Sequence, residues 1–133
     1  VDVIAAESAA NLIFFMHDDD GITLITCSGI SNTGKLTTKV GEILMQRSPG
    51  LIEHCISCRV EPDRLHDALS HAEKIVVLDG CSDCCGSKKV REQGYEPEIL
   101  FIATECGIIK NGMEDPRFDE IDLLTKVVRE QLR

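Results

Sequence analysis

Four short apolar runs divide the chain, at residues 22–26, 51–56, 74–78 and 98–103, and each is followed by a stretch with helical spacing. Continuous apolar runs suit strands that are buried on both faces better than strands with one wet side. The intervening stretches carry one apolar face each. Leu36, Val40, Ile43 and Leu44 fall at i, i+4, i+7 and i+8, and that pattern stops near 46–48, ahead of Pro49-Gly50. Leu65, Ala68, Leu69 and Ala72 follow the start signal Pro62-Asp63. Residues 83–93 read as a third helix closing at Gly94, and Ile121, Leu124, Val128 and Leu132 mark a fourth after Pro116.

The order is therefore strand and helix in strict alternation. It predicts an α/β fold: a three-layer, open, mostly parallel four-stranded sheet with helices on both faces, flavodoxin- or Rossmann-like. A single domain over residues 1–133 accommodates it, with 1–20 as an N-terminal extension, 22–112 as the body and 116–133 as a C-terminal helix. Within the extension, residues 1–10 fit a helix, and 12–16 an extra strand or a docked helix end. His17-Asp18-Asp19-Asp20 offers four metal-ligand side chains but reads as a solvated acidic turn.

Charge and composition remove several classes of function. A net charge of −9 argues against a protein that grips a phosphate backbone, and 4% aromatics without Trp argue against base stacking. No nucleic-acid partner is expected. The apolar run 12–16 is too short to span a membrane, and no signal-peptide pattern opens the sequence. A cytoplasmic location is the expectation, with no membrane partner.

Seven cysteines then need a reason: Cys27, Cys55, Cys58, Cys81, Cys84, Cys85 and Cys106. Their odd number and a core of ordinary size argue against a disulfide framework. All seven fall at or just past the predicted strand ends. In an open parallel sheet those ends share one edge, where ligands bind. Inert core thiols would scatter along strands and helices instead. Each following helix also begins beside these thiols, and a helix N-terminus favours thiolate, the form that ligates metal and attacks electrophiles.

Several ordered segments resemble the DGC-domain family, described as zinc-binding through four potential chelating cysteines. Asp79-Gly80-Cys81 with Cys85 resembles its D-G-C-x-x-x-C element. Cys27-Ser28-Gly29 with Ser31-Asn32 and Gly34 resembles its C-S-G-x-S-N-x-G opening. Thr104-Glu105, Gly107-Ile108 and Lys110-Asn111 resemble its closing segment. The likeness covers roughly residues 22–112. It implies zinc as the cofactor and Cys27, Cys55, Cys81 and Cys85 as ligands. Cys58, Cys84 and Cys106 are additional to the pattern and stand as alternates. Cys55-x-x-Cys58 and Cys81-x-x-Cys84 make two C-x-x-C pairs, a spacing also used by zinc ribbons and cluster ligands.

Other chemistries compete for the same residues. Four thiolates also suit an iron–sulfur cluster. Without metal, the vicinal Cys84-Cys85 and the two C-x-x-C pairs suit thiol redox or electrophile chemistry. A cysteine phosphatase or arsenate reductase needs an arginine in the loop after its cysteine, and residues 28–34 have none. Residues 29–35 satisfy G-x-x-x-x-G-K, a nucleotide- or anion-binding pattern, yet Leu36 stands where a magnesium-ligating Ser or Thr belongs. The plainer reading is a tight turn through Gly29 and Gly34 with Ser31 or Asn32 capping the helix. Asp79 and Asp83 read as turn and cap residues. His54 is a substitute ligand that strand alternation turns away from Cys55; His66 and His71 read as solvated. No acid/base pair or substrate pocket is legible, so no reaction is assigned.

Overall fold

The computed structural model describes residues 2–4 and 21–133. Its strands are β1 (Asp2–Ile4), β2 (Ile22–Thr26), β3 (His54–Ser57), β4 (Lys74–Asp79) and β5 (Ile99–Ile102). Its helices are α1 (Asn32–Arg47), α2 (Pro62–Ser70), α3 (Cys85–Glu92) and α4 (Phe118–Leu132), with a 3-10 turn over Ala103–Cys106. All pairings are parallel, in the order β3-β2-β4-β5-β1.

The predicted three-layer α/β architecture is present, with one strand more than the sequence suggested. That strand is β1, paired along β5 from Asp2↔Ile99 to Ile4↔Phe101. Over Asp2–Ile4 a strand stands where the sequence suggested part of a helix over 1–10; the rest of that stretch lies outside the described residues. The readings of 12–16 and of His17 to Asp20 lie outside the described residues.

Alternation along each strand divides the core into two layers. Ile22, Leu24, Val76, Leu78, Ile99 and Phe101 pack against Leu36, Val40 and Leu44 of α1 and Leu124, Val128 and Leu132 of α4. Ile25, Ile75, Val77, Leu100 and Ile102 pack against Leu65 and Leu69 of α2 and Val90 of α3. Both sheet faces are thus covered, which is why the strands read as unbroken apolar runs.

The chain runs from β2 outward to β3, then crosses back over β2 to β4. The strand order therefore reverses between β2 and β4. In doubly wound sheets such a reversal opens a crevice at the carboxyl ends of the two strands, where ligands bind. Here those ends lead into Cys27 and into Asp79-Gly80-Cys81.

Candidate metal centre

Backbone ladders carry past the strand ends and fix three side chains in a row. Cys27 N–H donates to the Leu78 oxygen at 3.1 Å, and Cys58 N–H donates to the Thr26 oxygen at 2.8 Å. Thr26 is in register with Ser57 on one side and Leu78 on the other. One step further, Cys27 stands between Cys58 and Asp79, with neighbouring strands about 4.8 Å apart. Cys58 lies with Ile25 and Val77 in the layer that α2 and α3 cover, Asp79 reaches the start of α3, and Cys27 Sγ faces Thr37 of α1.

The start of α3 closes over this row. Asp79 is 1% exposed, and its carboxylate accepts from Gly86 N–H at 2.7 Å and Ser87 N–H at 3.1 Å. It thereby satisfies donors at a helix end whose own N-cap, Cys84, makes no side-chain cap bond. A Cβ at position 86 would stand 2.8 Å from Asp79 Oδ1, and one at position 80 would stand 2.8 Å from the Thr33 carbonyl carbon. The D-G-C element thus has a physical basis: an acid that caps α3, a glycine that slides under the start of α1, and a thiol delivered beyond both.

On the β2 side, the loop before α1 is held from within. Ser31 Oγ caps the helix by accepting from Gly34 N–H at 3.1 Å. Thr37 Oγ1, fully buried, donates its single proton to the Gly34 oxygen at 2.8 Å and accepts from Ser28 N–H at 3.0 Å. Its remaining lone pair faces Cys27 Sγ at 3.8 Å, so the thiol is the donor there. Thr37 is therefore occupied with the loop. Lys35 Nζ likewise donates to the Met113 oxygen at 2.6 Å, away from the loop whose phosphate it would bind in a nucleotide site.

Ser28 (φ 48°) and Cys84 (φ 52°) are, among the described residues, the two non-glycine positions with left-handed backbone. Both flank this edge. Left-handed backbone costs an L-residue about 1–2 kcal/mol, and such strain concentrates at functional sites.

The cysteines separate into groups. Cys27 and Cys58 lie in the row, and Cys85 opens α3 above it. Cys81 and Cys84 form a tight turn beside them, closed by Cys84 N–H to the Cys81 oxygen at 3.1 Å. Cys55 does not sit at a strand end as expected. It is registered with Leu24, inside β3, three positions or about 10 Å before the row. Its Sγ packs under α1, where a Cβ on Gly41 would stand 2.8 Å from it. Residues three apart on a strand face opposite sides, so Cys55 and Cys58 do not form a local knuckle. Cys106 is buried among the core residues under α1 and α4. None of the seven is in a disulfide.

The electrostatics are those of crowded donors. Burial, then Cys27, pushes the Cys58 thiol up to about 11, with Asp79 and Cys85 also opposing its ionisation against a lowering by Arg59. Cys84 is raised as well, by burial first and then by Asp79 and Cys81. Cys55 reaches about 11 by burial and the nearby Glu42. The thiolate character expected beside helix N-termini is thus overridden at these three thiols. Burial raises Asp79 above its ordinary value despite its two backbone bonds.

Two cations that sequence reasoning did not place at this edge complete it. Arg59 Nε donates to the Cys27 oxygen at 2.9 Å, so the loop after β3 braces the loop after β2. The arginine missing from 28–34 arrives from elsewhere, but it supports a backbone carbonyl. Lys110 Nζ donates to Cys81 Sγ at 3.4 Å and lies 3.7 Å from Asp83 Oδ2. The available signals were Arg59, adjacent to Cys58, and the Lys110-Asn111 pair in the closing motif. The described histidines stay apart: His54 is exposed and 3.4 Å from Glu53, His66 lies tilted beside Tyr95 with ring centres 5.8 Å apart, and His71 pairs with Asp67.

The donor chemistry fits a soft divalent cation: several thiols and one buried carboxylate share this sheet edge. The side-chain arrangement is not closed around one. Among the described residues, no group of three or more His, Cys, Asp or Glu is placed to hold a metal ion. Nor is any described helix long and apolar enough to cross a membrane. Comparison with curated proteins and with solved structures gives no significant match. The DGC domain model matches residues 23–128, most of the chain. The chain belongs to the DGC-domain family.

Proposed function

We propose that this protein binds a soft metal, zinc foremost, through thiolates at the β2/β4 end of its sheet. The observation that carries the reading is the row Cys58–Cys27–Asp79 with Cys85 above it, drawn from three separate loops. Thiols crowded beside a buried carboxylate take a cation as ligands by giving up their protons to solvent.

The ligands favoured by this placement are Cys27, Cys58 and Cys85, with the fourth from the Cys81–Cys84 turn, Cys81 first. Cys58 takes the place that the family resemblance gave to Cys55, because it stands level with Cys27 at the sheet edge. Closure needs rotation of side chains about a fixed backbone scaffold. Bound zinc with four thiolates supplies a closed structural site, and with three it keeps an open position for a Lewis acid.

A second reading rests on Cys27 and Cys58 as lateral neighbours. Such a dithiol suits reversible disulfide chemistry with an external thiol–disulfide partner. Elemental analysis of anaerobically purified protein, beside a free-thiol count, separates the two. About one zinc per chain, lost in Cys58→Ser or Cys85→Ser, supports the metal reading. Metal-free protein with a reversibly oxidised Cys27–Cys58 pair supports the other.

A further inference from the structure

β3 ends the sheet on one side, and its backbone leaves hydrogen-bonding groups unused. Cys27 N–H meets the Leu78 oxygen of β4, so by alternation Leu24 and Thr26 turn their carbonyls toward β3. The Thr26 oxygen takes Cys58 N–H at 2.8 Å, and the register Ile25↔Ile56 sets Ile56 N–H on the Leu24 oxygen. The N–H groups of Cys55 and Ser57 and the Cys55 carbonyl therefore point away from the sheet. Exposed edges are ordinarily guarded by Lys, Pro or inward charge, and His54–Ser57 has no Lys, Pro, Asp or Glu. A groove flanks the strand on each face. That beside α2, about 470 Å³, is lined by His54, Ile56, Arg64, Asp67 and His71. That beside α1, about 370 Å³, is lined by Ser57, Gly41, Glu42 and Met45, the last 41% exposed.

We propose that β3 is a self-association edge: a second copy of this chain sets its own β3 antiparallel against it, about a two-fold axis at Cys55. Charge identifies the occupant. Arg64 faces Asp67 and Glu42 across the two grooves, so this strip is nearly balanced on a chain of net −9. Elsewhere exposed Ile109 lies beside Glu114, Asp115, Asp119 and Glu120, where two copies would set acid against acid. A balanced strip gives a strongly charged partner no steering field and lets two acidic copies meet. The axis follows from the backbone. The two Cys55 residues exchange both N–H···O bonds, as a hydrogen-bonded antiparallel pair does, and Ser57 N–H extends the ladder on either side. Ile56 of the second copy then stands opposite His54 and fills the groove beside α2. The pairing joins two five-stranded sheets into one, and it uses none of the proposed metal ligands.

Sedimentation velocity of the reduced full chain, run at about 1 μM and about 100 μM, brackets a dimer of micromolar Kd. A dimer should fill at the higher concentration. Residue-resolved amide exchange should then slow about tenfold or more at Cys55 and Ser57 between the two concentrations, with Leu24 slow at both. His54→Glu and Met45→Glu, at exposed positions, add like charge to both copies and should leave monomer at the higher concentration, with dilute thermal midpoints near wild type. A monomer at both concentrations overturns the proposal. So does a dimer whose Cys55 and Ser57 amides exchange as fast as in dilute protein, since another face then pairs, and so does a dimer that both variants leave intact. The wild-type amide readout decides the matter even where a variant fails to fold.

Discussion

Gly34 lies against Gly29 so closely that a Cβ on Gly34 would stand 2.6 Å from the Gly29 α-carbon and carbonyl carbon. This contact folds the loop after Cys27 back on the first turn of α1. A methyl group there meets backbone, which has no rotamer to yield. A Cβ on Gly29 instead meets Arg59 Nη2 at 3.1 Å, the far end of a flexible side chain. Gly34→Ala should therefore destabilise the protein by about 1–3 kcal/mol, the usual range for overpacking, while Gly29→Ala should stay within about 0.5 kcal/mol, as most mild surface changes do. Urea midpoints of the two variants check this.

Asp79 holds the start of α3 with both carboxylate oxygens. Asn at this position keeps one acceptor and turns an NH2 toward a backbone N–H. Asp79→Asn should cost about 1–3 kcal/mol, the range for a buried donor left unpaired. The pH dependence has a definite sign. Burial raises the folded-state pKa above the ordinary 3.8, so the linked stability is present below 3.8 and is lost as pH rises through the folded value. In metal-free protein the deficit of the variant should be largest at low pH and shrink as pH rises.

The β/α order, helices on both sheet faces and a cap at Ser31 or Asn32 were legible, because apolar periodicity and helix-start chemistry are local signals. Placement of the cysteines was legible only to the level of a shared edge. Cys55 and Cys58 look alike in sequence, and a shift of the strand from 51–56 to His54–Ser57 moves Cys55 from the strand's exit to its interior. Register with Leu24 and Thr26 then decides which face each sulfur takes, and register is a long-range property. Arg59 and Lys110 escaped for the same reason. Each acts across the sheet edge on a loop distant in sequence, Arg59 on Cys27 and Lys110 on Cys81.

Cys55 and Cys58 both carry pKa values raised to about 11 from an ordinary 9.0. A raised folded-state value contributes stability that is complete below pH 9 and is lost as pH climbs through 11. Metal-free protein should thus lose stability between pH 9 and 11, and a Cys55→Ala, Cys58→Ala double variant should lose less over that interval. At pH 7.5 these two thiols should also be alkylated slowly. Denaturation midpoints against pH and site-resolved iodoacetamide labelling provide the checks.

Asn32 joins the start of α1 to the segment after the 3-10 turn through both ends of its amide. Asn32→Ala leaves the Ile109 carbonyl and the Asn111 N–H without that partner, and should cost about 1–3 kcal/mol. Asn32→Asp keeps the acceptor for Asn111 but sets an oxygen against the Ile109 carbonyl, so it should not restore stability. Backbone amide exchange at Asn111 should quicken in the Ala variant and remain slow at Leu24, deep in the sheet.

X-ray absorption at the zinc edge of the reconstituted wild-type protein tests the central claim most directly. The account predicts a first shell dominated by sulfur at about 2.3 Å, with one sulfur lost in Cys58→Ser and none in Cys55→Ser. A shell of nitrogen and oxygen, or a sulfur lost in Cys55→Ser and not in Cys58→Ser, would contradict it.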